Sequence, residues 1–138
     1  MKKYNILWID DDINRPELML DRDALNELGC IITAIPHPDN FRMETVPFYD
    51  CIIIDLSMPI GGNMTIDETR GGSRTGFVLL KKIKNKYPNS KIVVYSIFDA
   101  PDVRSYCNDN GIECWNKSSL LSDEFALSIV ELIEKEIK

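Results

Sequence analysis

The chain has 138 residues, of which 44% are hydrophobic and 28% charged, with a formal net charge of −6 at pH 7. That is enough for one domain with its own core and too little for two ordinary ones. The acidic balance excludes a general grip on nucleic acid, which needs clustered Lys and Arg, and no apolar run approaches the ~20 residues that span a bilayer.

The opening "MKKYNILWIDDD" turns acidic too early for a signal peptide, so the expected location is the cytoplasm, away from any membrane. Its first strand is expected over Tyr4 to Asp10. "RPELMLDRDALNELG" follows as a helix, with Pro16 in the first turn, Leu18, Leu25 and Leu28 on one face, and Gly29 as the stop. "CIITAI" (Cys30 to Ile35) reads as a short β-branched strand. The next stretch, "PHPDNFRMETVPFYD", is poorly patterned and predicts at most a short or irregular helix around Asp39 to Glu44. His37 there, between two prolines, reads as a surface-loop residue. Cys51 to Asp55 is a strand, followed by a long loop from Ser57 to Arg74 and a helix from about Thr75 to Tyr87, stopped at Pro88. "KIVVYS" (Lys91 to Ser96) is the next buried strand. A helix with Pro101 in its first turn ends near Gly111, and "IECW" (Ile112 to Trp115) is a short strand. The last helix starts near Ser122 and buries Phe125, Ile129, Leu132, Ile133 and Ile137. Cys30, Cys51, Cys107 and Cys114 form no CxxC pair and are expected to be buried thiols of a reducing compartment.

The pattern is β-α repeated five times. Strands alternating with helices run parallel, with each crossover laying a helix on the sheet, so the expected fold is one α/β domain over residues 1–138. In such sheets a ligand site lies beyond the carboxyl ends of the strands. Those ends carry Asp10, Asp11 and Asp12 after strand 1, Asp55 after strand 3, Ser96 after strand 4 and Lys117 after strand 5. The question is sharpest at "CIIIDLSMP", where a buried strand runs straight into a carboxylate. An unpaired buried charge costs several kcal/mol, so Asp55 needs compensation. Any one of these residues alone would be unremarkable surface chemistry; together on one rim they point to a charged site.

These residues make the chain resemble the receiver domain of bacterial response regulators, from "ILWIDDD" to the last helix. The resemblance implies a flavodoxin-like doubly wound sheet of order 2-1-3-4-5. It implies that Asp55 accepts a phosphoryl group, that Asp10, Asp11, Asp55 and the backbone carbonyl of Ser57 hold Mg²⁺, and that Ser96 and Lys117 contact the phosphoryl oxygens. It further implies a phosphorylation switch rather than an enzyme. The phosphodonor would be a histidine kinase or phosphotransfer protein. Output would pass to a protein partner, or to a homodimer, through the face of the fourth helix, fifth strand and fifth helix. With no output segment after the last helix, a stand-alone domain is expected.

Four features depart from the family pattern. Cys114, with Trp115 beside it, stands where the aromatic switch residue is usual, and Ser118 replaces the proline after the lysine. Ile97 follows Ser96 where a small residue is usual, and is expected to crowd the site. The Ser57 to Arg74 segment replaces a short turn, and its two Gly-Gly pairs suggest a mobile segment, either a passive surface insertion or a lid or partner loop beside the phosphorylation site. Its "GGSRTGF" lacks the Gly-Lys-Ser/Thr of a phosphate loop. The alternative reading is a pseudo-receiver, a docking module that needs no phosphorylation. A Mg²⁺-dependent phosphohydrolase ranks last, because Ser57 stands where such enzymes carry a second acid.

Overall fold

The computed structural model describes residues 3–97 and 100–135. Five strands, β1 (Tyr4–Ile9), β2 (Cys30–Ile35), β3 (Cys51–Ile54), β4 (Ile92–Ser96) and β5 (Glu113–Asn116), pair in parallel in the order β2-β1-β3-β4-β5. The order is the one expected. Five helices join or flank them: α1 (Pro16–Glu27), α2 (Ile66–Thr69), α3 (Thr75–Lys86), α4 (Pro101–Asp109) and α5 (Ser122–Glu134).

The central strands are apolar on both sides because both sides are covered. Along β1, Ile6 and Trp8 enter one core while Leu7 and Ile9 enter the other. The period-2 alternation of strand side chains makes the division. One core takes Leu18 and Leu25 from α1 and Phe125, Ala126 and Ile129 from α5. Leu132 and Ile133 are partly buried there, while Ile137 lies outside the described residues. Tyr95 stacks on Phe125 at 4.3 Å, and Trp8 packs against both rings. The other core takes Leu79, Leu80 and Ile83 from α3 and Val103 and Cys107 from α4. Each fully buried Leu, Ile or Phe contributes roughly 1.5–3 kcal/mol relative to exposure.

The second crossover departs from the β-α pattern. Between β2 and β3 the chain forms two 3₁₀ turns, Pro38–Asn40 and Met43–Phe48, and no α-helix. Pro38 suits only a first turn, and Pro47 removes a donor inside the second, so neither turn grows into a helix. Val46 alone of the second turn is fully buried.

The segment after β3 is also unlike the mobile insertion suggested by its glycines. Met58 is buried, Met64 packs on the core, and Thr69 is fully buried. Thr65 and Glu68 form a capping box that starts α2, each side chain bonding the other's backbone N–H. The N–H of Gly62 donates to Asp39 Oδ1 at 2.7 Å, tying the segment to the first 3₁₀ turn. Arg70, at φ 50°, and Gly71 and Gly72 turn the chain back, and Thr75 donates its hydroxyl to the Met58 carbonyl at 2.9 Å. The glycines permit the left-handed turn; polar anchors hold it.

At the opposite edge, Lys91 donates to the carbonyls of Ile133 and Lys135, capping the end of α5. Around Asp55 the packing is tighter. A Cβ added at Gly76 would sit 1.8 Å from the Asp55 carbonyl oxygen, whereas one at Gly62 would meet nothing closer than 3.6 Å. Gly76→Ala should therefore destabilise by about 3 kcal/mol or more, while Gly62→Ala should stay within about 0.5 kcal/mol. Urea unfolding monitored by tryptophan fluorescence checks both; equal midpoints would contradict the close approach of α3 to β3.

Candidate functional site

The site is assembled where β1, β3 and β4 end. The Asp55 N–H donates to Ile9 O at 3.0 Å, and the Asp10 N–H donates to Ile35 O at 3.0 Å. Sheet pairing thus extends one residue beyond β1 and β3 and fixes both aspartates by their backbones. Asp10 is fully buried and Asp55 nearly so, while Asp11 is exposed and Asp12 half-buried. Oxygens of Asp10, Asp11, Asp12 and Asp55 lie within 4.8 Å of one another. The sequence reading assigned Asp10, Asp11 and Asp55 to a metal and left Asp12 out; the fold brings all four together. Asp12 also pairs with Arg15 at 3.0 Å. Ser57, whose carbonyl was the other expected ligand, is exposed two residues beyond Asp55.

Lys117 compensates the two buried acids. Its Nζ lies 2.7 Å from Asp10 Oδ2 and 3.0 Å from Asp55 Oδ2, and its side chain is only 10% exposed. Burial opposes its charge more than any other single influence, but the pull of Asp10 and Asp55 outweighs it, and its pKa is raised. Asp10 is pushed up to about 6 by burial first and then by the charge of Asp55, against the attraction of Lys117. Asp11 is raised by burial, then by Asp12 and Asp55. Strand β3 can end in a carboxylate because an ammonium group delivered from the edge strand β5 reaches it.

Residues that sequence reasoning passed over hold that ammonium group in place. Asn116 Oδ1 accepts from the Ser118 N–H at 2.8 Å and hydroxyl at 2.6 Å, and Asn116 Nδ2 donates to Ile97 O at 3.4 Å. The Lys117 N–H donates to Ser96 O at 3.1 Å. Tyr95 donates its hydroxyl to Asp21 Oδ2 at 2.9 Å and lies 3.4 Å from Lys117 O, and Ser122 donates to the other Asp21 oxygen at 2.7 Å. An acid inside an otherwise apolar helical face was the available signal for Asp21, at a position the Leu18–Leu25 periodicity treats as core.

Ser96 is buried at the end of β4, on the same edge as Asp55. Ile97 is 72% exposed and lines a groove of about 500 Å³ with Asp12, Lys117, Leu120 and Leu121. His37 is on the surface, accepting the Asp39 N–H on its Nδ1. Cys114 is exposed, which corrects the expectation that all four cysteines are buried; β5 is an edge strand, so its outer side has no covering neighbour. No helix among the described residues is long and apolar enough to cross a membrane.

Comparison with solved structures decides the fold. A CheY-like response regulator receiver domain protein from Methanospirillum hungatei superposes with a TM-score of 0.70 at 15% identity, over 96% of this chain and 95% of that one. This is the response-regulator receiver fold. The isolated REC domain of RcsB from Salmonella enterica, determined with the phosphomimetic BeF₃⁻, gives a TM-score of 0.68 at 20% identity, over 95% and 88% of the two chains. The receiver domain of a LuxO repressor protein from Vibrio parahaemolyticus gives 0.68 at 12%, over 96% and 92%. No family model and no curated protein matches the sequence. The receiver fold is thus carried here on a sequence far from those of its structural neighbours.

The shift at Asp10 gives a pH dependence with a defined sign. A carboxyl whose native pKa exceeds its unfolded value, near 4, loses stability on ionising. The contribution of Asp10 should fall as pH rises from about 4 to about 6 and stay level above. In chelator, Asp10→Asn should be more stable than wild type at pH 7.5 by up to about 3 kcal/mol, with the advantage fading toward pH 4. Parallel melts across that range check it; a difference independent of pH would contradict the assignment.

Proposed function

We propose that this protein is a phosphorylation-dependent signalling switch of a two-component relay, with Asp55 as the phosphoacceptor. The observation that supports it most is Lys117 Nζ set between Asp10 and Asp55 at the strand ends of a receiver fold. Asp55 is a carboxylate nucleophile held by its backbone, with the Lys117 ammonium group 3.0 Å from its Oδ2. Lys117 is a point charge suited to phosphoryl oxygens, and it can turn to them from Asp55 when that carboxylate is esterified. Ser96, at the end of the neighbouring strand, supplies a hydroxyl for the same group. In-line phosphoryl transfer asks for little beyond such positioning and charge.

The donor set also suits Mg²⁺. Four carboxylates offering hard oxygens within 4.8 Å match its preference for oxygen ligands, with waters filling the remaining positions. Asp10, Asp11 and Asp55 with the Ser57 carbonyl would hold the ion, Asp12 standing beside them. When bound, Mg²⁺ would neutralise the repulsion between the acidic site and an anionic donor. The donor is a histidine kinase or phosphotransfer protein in the cytoplasm, and output passes to a downstream protein partner through the face of α4, β5 and α5. The protein acts as a switch and not as an enzyme. A pseudo-receiver is the second reading, and the exposed thiol of Cys114 at the usual aromatic position favours it.

Incubation with acetyl phosphate and Mg²⁺, followed by intact mass, separates the two. Wild type should gain one phosphoryl group and Asp55→Asn none; an unmodified wild type, under conditions that label other receivers, would favour the docking module. Mg²⁺ at ten times its Kd should add about 1.4 kcal/mol to native stability. The shift should disappear in Asp11→Ala. A thermal melt that Mg²⁺ moves equally in both proteins would argue against this ion site.

A further inference from the structure

The end of α4 and the start of β5 bring two cysteines together. The Cys107 carbonyl accepts the Ile112 N–H at 2.8 Å, closing the turn through Gly111, whose φ is +67°. Cys114 pairs in register with Val94, and Val94 lies in the same core as Cys107, Val103 and Ile112. The next residue, Trp115, packs into the opposite core, so strand alternation turns Cys114 toward α4. The two side chains share a hydrogen bond. Cys107 is 1% exposed, whereas Cys114 stands on the edge strand with its residue exposed. The remaining pair, Cys30 and Cys51, is buried.

We propose that Cys107 and Cys114 form a reversible disulfide that clips α4 to β5, with Cys114 as the sulfur that meets the oxidant and Cys107 as the resolving thiol. With hydrogen peroxide, the Cys114 thiolate attacks one oxygen: an S–O bond forms, the O–O bond breaks, and the departing hydroxide takes up a proton as water. The Cys107 sulfur then attacks the Cys114 sulfenic acid. The S–S bond forms, the S–O bond breaks, and the Cys107 proton leaves with the hydroxide as a second water. Two thiols are oxidised and one peroxide is reduced to two waters. A dithiol reductant reverses the step by exchange at Cys114, the more exposed of the two residues.

The division of roles follows from the surroundings. The hydrogen bond to Cys114 and then burial hold the Cys107 thiol well above the usual range, so it is a poor first nucleophile. Held in contact with Cys114, it needs no encounter to resolve a sulfenic acid. A redox pair of this kind is compatible with a reducing compartment, where disulfides are transient and sensory rather than structural. The clip would act on an element tied at its other end to the segment beside Asp55. Arg74 Nη2 lies 3.1 Å from Asp102 Oδ1 in the first turn of α4, and Arg70 approaches the same carboxylate at 3.9 Å. Only the consequence for signalling rests on the proposed phosphorylation switch; the disulfide itself does not.

The experiment uses the full chain, treated with hydrogen peroxide and alkylated before and after dithiothreitol, with peptide mapping and amide exchange. Wild type should lose two hydrogens, yield a Cys107–Cys114 crosslinked peptide, and recover both thiols in dithiothreitol. Amides of α4 and β5 should exchange several-fold more slowly in the oxidised form. Cys107→Ser should stop at oxygen adducts on Cys114, and Cys114→Ser should resist oxidation at Cys107. Asp55→Asn should behave as wild type, so that a failure of phosphorylation leaves this result intact. A Cys114 that gains oxygen in wild type without the crosslink would overturn the proposal, as would crosslinks to Cys30 or Cys51 or an intermolecular Cys114 disulfide that persists in Cys107→Ser. Formation of the crosslink with unchanged exchange in α4 would overturn its action as a clip.

Discussion

The contact on which the site depends is the ammonium group of Lys117 between two buried carboxylates. Removing one partner of a buried ion pair typically costs 3–5 kcal/mol, because the remaining charge has neither water nor counterion. Here there are two acids for one lysine, so even the complete set carries an excess of negative charge, which adds to burial in holding the Asp10 pKa up. That residual charge disposes the site toward a cation. It also makes the site sensitive to any new group that draws Lys117 away from Asp55. The proposed cation binding and the proposed switching would then share one cause, an incompletely neutralised pocket.

Delivering Lys117 to that position takes most of the fold. The lysine follows the edge strand β5, two strands away from β3. Its backbone is pinned to Ser96 O, and its loop is organised around the Asn116 side chain. On the other side, α3 packs so closely on the Asp55 carbonyl that position 76 tolerates no side chain. The charged group and its target are therefore fixed independently, by opposite flanks of the sheet.

Much of this was legible in the sequence because it depends on local pattern. Runs such as "ILWI" and "CIII" declare strands covered on both faces, and the acids that follow them mark the strand ends. Proline at the start of α1 and α4 fixed their first turns. What was illegible depends on long-range pairing. The Ser57–Arg74 segment looked loose because the polar bonds that add to its Met58 and Met64 contacts join residues far apart in sequence: Asp39 lies 23 residues from its partner Gly62, and Thr75 lies 17 from Met58. Asp21 sits 74 residues from Tyr95 and 101 from Ser122, and no periodicity announces a polar network of that span. The second crossover failed as a helix through Pro38 and Pro47, a signal that was present but read only as irregularity.

The Asp21 network has a mechanical consequence. It joins α1, β4 and α5 through one carboxylate that accepts from both Tyr95 and Ser122, inside a layer where α1 and α5 also touch directly. Directional bonds of this kind resist sliding, because a displaced acceptor leaves buried donors unsatisfied. On the opposite side, α4 rests on Val103 and Cys107 in the apolar core, and its polar tie to the insert is made at the partly exposed Asp102. Apolar contact holds a helix down without fixing its position along the sheet. The sheet thus has a keyed wall and a greased one, and a rearrangement of the kind proposed for the acidic rim would meet less resistance along the second.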